Sequence, residues 1–118
     1  NQNKIRTSLF INPNLKDVKL AKKIGSRCIE IHTGKISNKI KNKQSYVKDL
    51  ENIKKCAKLG KLLGLEVHAG HGIDFRTAKI LSKINEIEEF NIGHFIIGES
   101  IFDGFKHTIK KFKRIIKS

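Results

Sequence analysis

The chain predicts an α/β fold of successive strand–helix units with parallel strands. Three observations predict it. Short apolar runs alternate with segments of helical period along all 118 residues. The connections between them are short, which favours parallel strands joined by helical crossovers. Two of the runs close on glycine and histidine, in His68-Ala69-Gly70-His71-Gly72 and in Asn91-Ile92-Gly93-His94, each read as the C-terminal end of a strand entering a turn.

The elements follow in order. Thr7-Ser8-Leu9-Phe10-Ile11 is strand-like, Asn12-Pro13-Asn14 turns the chain, and Asn14 suits a helix N-cap. Leu15, Val18, Ala21 and Ile24 repeat every three residues as one helical face, and Gly25 stops that helix. The second unit opens with Arg27-Cys28-Ile29-Glu30-Ile31-His32-Thr33-Gly34. A polar loop is expected from Lys35 to Gln44. A longer helix then carries Val47, Leu50, Ile53 and Ala57, ending near Gly60 to Gly64. The third strand is Leu65-Glu66-Val67-His68-Ala69, and its helix carries Phe75, Ala78, Leu81 and Ile84 behind an Asp74 cap. The fourth strand is Glu89-Phe90-Asn91-Ile92. Phe95 to Phe102 suits a short extra helix or turn, and Gly104 separates it from a final helix with Phe105, Ile109, Phe112, Ile115 and Ile116 on one side.

Composition narrows the classes. The length allows one domain at most. No apolar run reaches a membrane-spanning length, and Asn1-Gln2-Asn3-Lys4 lacks the apolar core of a signal peptide. Met is absent, so the chain is expected to start partway through a longer product. Cys28 and Cys56 have no metal-binding spacing and are expected to be buried and reduced, as in a cytoplasmic protein, with a disulfide as the minor alternative. The net charge of +14 invites a nucleic-acid reading. The lysines are scattered over every helix, however, and one Tyr with no Trp leaves few stacking platforms. Solvated helix faces are the expectation, with no nucleic-acid and no membrane partner.

Four strand–helix units amount to half of an eightfold (β/α) barrel, in which loops after the last strands and a short added helix hold phosphate. The fourth unit has this arrangement. A half-barrel leaves two open strand edges, and a small flavodoxin-like sheet is the competing architecture. Chemistry at the ends of three consecutive strands suits a barrel mouth better.

The residues at those ends define candidate chemistry. Glycines let backbone N–H groups approach an anion, and histidines transfer protons near neutral pH. His71, flanked by glycines at a strand end, fits a proton-transfer role better than that of a turn-bound structural histidine. Glu30 shares a strand face with Cys28 and His32, opposite Ile29 and Ile31. A carboxylate there needs a partner, either a cationic intermediate or a lysine, and the sequence leaves the two open. The glycines of these turns suit anion binding, against ordinary turn geometry. His32 and His68 are expected to line the mouth, and His107 to be solvated.

The combination of Ile29-Glu30-Ile31-His32-Thr33-Gly34, Ala69-Gly70-His71-Gly72 and Asn91-Ile92-Gly93-His94-Phe95-Ile96-Ile97-Gly98, with Ser8-Leu9-Phe10-Ile11 before it, resembles the second half of the pyridoxine 5′-phosphate synthase family. The resemblance covers essentially the whole chain. It implies a (β/α)8 TIM barrel, of which residues 1–118 supply the C-terminal half of a single domain. It implies a cytoplasmic transferase of vitamin B6 biosynthesis, assembled as a homo-octamer, with no cofactor and no metal. The reaction joins 3-amino-2-oxopropyl phosphate to 1-deoxy-D-xylulose 5-phosphate, giving pyridoxine 5′-phosphate, phosphate and water. His71 falls on the family's proton donor and Glu30 on its transition-state stabiliser. Gly72, Gly93 and His94 fall on positions that hold the aminoketone phosphate. The family's acid–base residues from the first half of the barrel are not in this chain, so the chain alone is expected to be inactive.

Two other classes remain open at this point. A metal-dependent barrel epimerase or aldolase acting on a phosphorylated sugar would draw ligands from Glu30, His32, His68, His71 and His94. A basic binding module would rest on lysines such as Lys39, Lys41 and Lys43. It gives no reason for glycine and histidine at three strand ends.

Overall fold

A computed structural model describes residues 6–117; the expectation about Asn1-Gln2-Asn3-Lys4 lies outside them. The strands are β1 (Ser8–Ile11), β2 (Cys28–His32), β3 (Glu66–Gly70) and β4 (Glu89–Asn91). The helices are α1 (Leu15–Lys23), α2 (Gly34–Lys41), α3 (Val47–Leu62), α4 (Phe75–Leu81), α5 (His94–Asp103) and α6 (Phe105–Lys117). The four strands form one parallel sheet in the order β1-β2-β3-β4. This order never reverses. A flavodoxin-like sheet needs a reversal, because its chain winds outward in both directions from a switch point. The described strands therefore exclude that alternative.

Strand alternation sorts the sheet into two faces. Ile11, Ile29, Ile31, Val67 and Ala69 are buried in the hydrophobic core beneath the helices. Burying each large side chain of this kind contributes about 1.5–3 kcal/mol. The opposite face carries Phe10, Cys28, Glu30, His32, His68 and Gly70, in register across the strands. The molecule measures 43 × 36 × 22 Å, a slab of a few layers.

Local signals set most boundaries. Asn14 Oδ1 accepts from the Asp17 N–H at 2.8 Å and starts α1. Gly25 ends it with φ +86°, a conformation that a Cβ disfavours. Val18 and Ala21 are buried as their spacing predicts, but Leu15 and Ile24 are exposed. Leu15 is the first residue of α1, and Ile24 is its C-cap. Val47 and Phe105, each the first residue of its helix, are exposed in the same way.

The segment expected as a polar loop, Lys35 to Gln44, is instead mostly helix. Ile36 and Ile40, one turn apart, are buried on the core side of α2. Two apolar residues among lysines and asparagines are a weak periodic signal, and α2 gains its stability from docking. Lys39 Nζ meets the buried carboxylate of Asp49 on α3 at 2.7 Å. Lys43, with φ +56°, turns the chain after α2. No described helix is long and apolar enough to cross a membrane.

Candidate active site

Parallel strands put their C-terminal ends on one side. His32, Gly70 and Asn91 are register partners in the last layer of the sheet. The segments that follow converge on a cavity of about 740 Å³. Glu30, His71, Gly72, Gly93 and His94, all five residues singled out from the sequence, line it.

The turn after β3 is strained. His71 has φ +85° and Gly72 φ +73°. A side chain in the left-handed region costs on the order of 1–3 kcal/mol and persists only where its surroundings enforce it. The enforcing contacts come from the β2–α2 junction. The Thr33 N–H donates to the Gly70 carbonyl at 2.9 Å. The Thr33 hydroxyl points at the Gly70 and His71 carbonyls, 2.8 Å from each. Packing is tight here. A Cβ on Gly34 would come within 2.9 Å of the His71 ring, and one on Gly72 would sit 3.2 Å from the Ser37 Cβ.

His32 forms a wall beside His71. Their ring centroids are 4.5 Å apart, and Phe10 packs edge-on against His32 at 4.9 Å. Nδ1 of His32 accepts from the Gly34 N–H at 3.1 Å, which places the ring proton of the neutral form on Nε2. Burial lowers the His32 pKa, the neighbouring His71 lowers it further, and Glu30 acts in the opposite sense. His32 is therefore neutral at pH 7.

Glu30 reaches into the cavity across β3. Gly70 leaves room for it, since a Cβ there would lie 2.8 Å from the Glu30 carboxyl carbon. Asn91 Nδ2 donates to Glu30 Oε1. Among the described residues no lysine or arginine pairs with Glu30. The lysine partner that the sequence left open is absent there, and a carboxylate held by a neutral amide faces the cavity.

On the far wall, Gly93 precedes α5 and His94 opens it. No side chain caps this helix start, so its N–H groups and positive dipole end are available to an anion. Gly93 has an ordinary φ of −125° and open space around its Cα, so its lack of a side chain serves access rather than the turn. Lys41 adds a cation to the lining. The start of α4 differs: Asp74 accepts from the Thr77 N–H at 2.8 Å and caps it, as expected.

His68 does not line the mouth. It is 3% exposed, and its Nε2 lies 2.8 Å from Glu66, 3.2 Å from Glu89 and 3.3 Å from the Cys28 sulfur. It shares a face with Gly70 but stands two residues short of the strand end, so it points into the layer below. Arg6 contacts both oxygens of Glu66, at 2.9 and 2.8 Å. The His68 hydrogen bond, and then Arg6, hold the Glu66 pKa below the usual carboxylate range. Cys28, Glu66 and His68 are the described residues close enough to share a metal ion. Burial, the largest influence, raises the Cys28 pKa and so favours the thiol over the thiolate that a metal needs. The five-residue ligand set from Glu30, His32, His68, His71 and His94 is not gathered. Both cysteines are buried and unpaired, and His107 is exposed, as expected.

Sequence reasoning gave Asn91 and Thr33 no role and named Lys41 only for the basic binding module. Alternation along β4 puts Asn91 on the Glu30 face, a signal that was present. Lys41 was hidden because α2 was expected to be a loop. Thr33 gave no signal, since its partners lie 37 and 38 residues away.

The profile of the family described as pyridoxal phosphate biosynthesis protein PdxJ matches residues 1–118. The pyridoxine 5′-phosphate synthase of Pelagibacter ubique (strain HTCC1062) is 63% identical over 98% of this chain and 48% of its own length. The enzyme of that name from Sulfurihydrogenibium sp. (strain YO3AOP1) is 45% identical over 98% of this chain and 46% of its own. That of Zymomonas mobilis subsp. mobilis is 40% identical over 95% and 43%. The chain spans about half the length of the curated relatives it matches.

Proposed function

Because the chain belongs to the PdxJ family of pyridoxal phosphate biosynthesis proteins, we propose that it is the catalytic C-terminal half of a pyridoxine 5′-phosphate synthase. The substrates on this reading are 3-amino-2-oxopropyl phosphate and 1-deoxy-D-xylulose 5-phosphate. The observation that carries it is the meeting of Glu30, His71, Gly72, Gly93 and His94 around one cavity. The amine of one substrate condenses with the ketone of the other. Phosphate and water leave, and the ring closes.

The site residues divide the work. His71 protonates a leaving hydroxyl as general acid. Glu30, held by Asn91, stabilises the positive charge of the iminium-like intermediate, which supplies the partner its carboxylate lacks. Gly72, Gly93 and His94, with the start of α5, hold the aminoketone phosphate. No step needs a metal or cofactor.

Residues 1–118 on this reading are half of a single TIM-barrel domain. The unreversed strand order and the edges at β1 and β4 support it, since a completing half would cover both edges. Ile97, Ile101, Phe102 and Phe105 are exposed around α5 and supply an apolar surface for assembly, with a homo-octamer as the expected state. The buried, unpaired cysteines suit the cytoplasm.

The test is formation of pyridoxine 5′-phosphate from the two phosphorylated substrates. The chain alone is inactive on this reading, and the chain extended upstream to the length of its relatives is active. Loss of that activity in His71→Ala supports the assignment. Well-folded extended protein with no activity overturns it.

A further inference from the structure

Thr33 occupies the N-cap position of α2, where a threonine hydroxyl ordinarily accepts a hydrogen bond from the first turn of its helix. It makes no such bond. The first helical N–H, that of Gly34, is served by the His32 ring instead. The hydroxyl is turned across the sheet, to 2.8 Å from both the Gly70 and the His71 carbonyls. These two acceptors are not equally dependent on it. The Gly70 carbonyl also receives the Thr33 N–H. The described residues offer the His71 carbonyl no other hydrogen bond, and His71 is the non-glycine residue held at φ +85° beside the cavity. Thr33 is itself fully buried, and its own carbonyl accepts the Ser37 hydroxyl at 2.6 Å. A rigid donor on β2–α2 thus meets a strained acceptor after β3.

We propose that Thr33 is a positioning residue, whose hydroxyl holds the His71 backbone in its left-handed conformation and so aims the imidazole into the cavity. The inference rests on the synthase reading for its catalytic consequence. Its structural consequence stands apart from that reading. Without the hydroxyl the His71 carbonyl loses its partner and the turn relaxes toward an ordinary φ. The ring then swings away from the reacting atoms.

The experiment uses the protein extended to the length of its relatives. Thr33→Val keeps the shape and removes the donor, while Thr33→Ser keeps the donor. Two quantities are read: kcat for pyridoxine 5′-phosphate formation, and the 13C shift of the His71 Cα, which reports its backbone conformation. The expected result is a fall in kcat of about tenfold to a hundredfold in Thr33→Val, the scale of a misplaced catalytic group. The His71 shift moves with it, and Thr33→Ser restores both. Wild-type kcat in Thr33→Val overturns the proposal, as does a lower kcat with an unmoved His71 shift. If Thr33→Val does not fold, Thr33→Ala removes the same hydroxyl and is read in the same way. If neither folds, the hydroxyl is a requirement of the fold and the proposal fails. An inactive wild type would sink the synthase reading, and the His71 shift would still decide the role of Thr33.

Discussion

His68 and His71 stand three residues apart on β3 and the turn that follows it, yet they live in opposite surroundings. His68 is enclosed, with Glu66, Glu89 and Cys28 around its ring and Arg6 balancing the charge. Its backbone is ordinary strand. His71 lies on a cavity wall with its backbone in the left-handed region, held from outside by Thr33. The polar groups of the first cluster are turned toward one another. The second keeps an imidazole, the Glu30 carboxylate and an uncapped helix start facing open space. Residue type does not separate an enclosed histidine from one that faces a cavity. Backbone strain and unspent hydrogen-bonding capacity do.

The contrast can be broken by substitution, and the largest effect is expected at His71. In the extended protein, His71→Ala should lower turnover by about 10²- to 10⁴-fold, the usual worth of a positioned acid–base group. Its melting temperature should change little, because alanine keeps the same backbone conformation and the lost ring is exposed at the cavity wall. Product formation and a thermal melt together check this. Glu30→Gln keeps an oxygen for Asn91 but removes the charge. It should reduce kcat by about 10²-fold, as loss of one electrostatic stabiliser does, and steady-state kinetics read it. Gly72→Ala puts a Cβ at φ +73° and 3.2 Å from Ser37. It should raise the KM for the aminoketone phosphate by about tenfold, the equivalent of about 1.4 kcal/mol of lost phosphate contact.

His68→Ala should invert the pattern. It empties a buried site and strands its partners, costing about 1–3 kcal/mol of stability by denaturant titration, while turnover per folded molecule stays near wild type. An activity loss as large as that of His71→Ala would erase the distinction between the two clusters.

The smallest effect is a pH dependence that belongs to the mouth. The folded-state pKa of His32 lies below its ordinary value of 6.5. Between those two values the unfolded chain binds more protons than the folded one, so stability falls as pH drops through that window. Above pH 6.5 the contribution of His32 is flat. Melting temperatures of wild type and His32→Asn between pH 7.5 and pH 5 should diverge toward the acid end, with wild type losing more.

Much of the fold was legible, because its signals are local. Asn14, Gly25 and Asp74 mark helix ends through their own backbones and side chains. Ile29 and Ile31 against Glu30 declare the two faces of β2 by alternation. The segment from Lys35 to Gln44 was misread because Ile36 and Ile40 make a helix only when a core receives them. The site was legible for a related reason: glycine and histidine at strand ends are costly to place without a use. Asn91 was within reach of the alternation argument. Thr33 was not, because its hydrogen bonds join segments whose distance in the chain says nothing of their distance in space.

The amino-acid sequence by itself determined the alternation of strands and helices, the caps, the buried face of the sheet and the glycine- and histidine-bearing turns at strand ends. Each follows from periodicity or from backbone chemistry that acts within a few residues. Only the tertiary structure decided that α2 is a helix and that His68 is sealed by Arg6, Glu66 and Glu89. It alone placed His71 at φ +85° beneath the Thr33 hydroxyl. Those outcomes depend on contacts between segments far apart in the chain, and such contacts come into being only when parallel strands set their ends side by side.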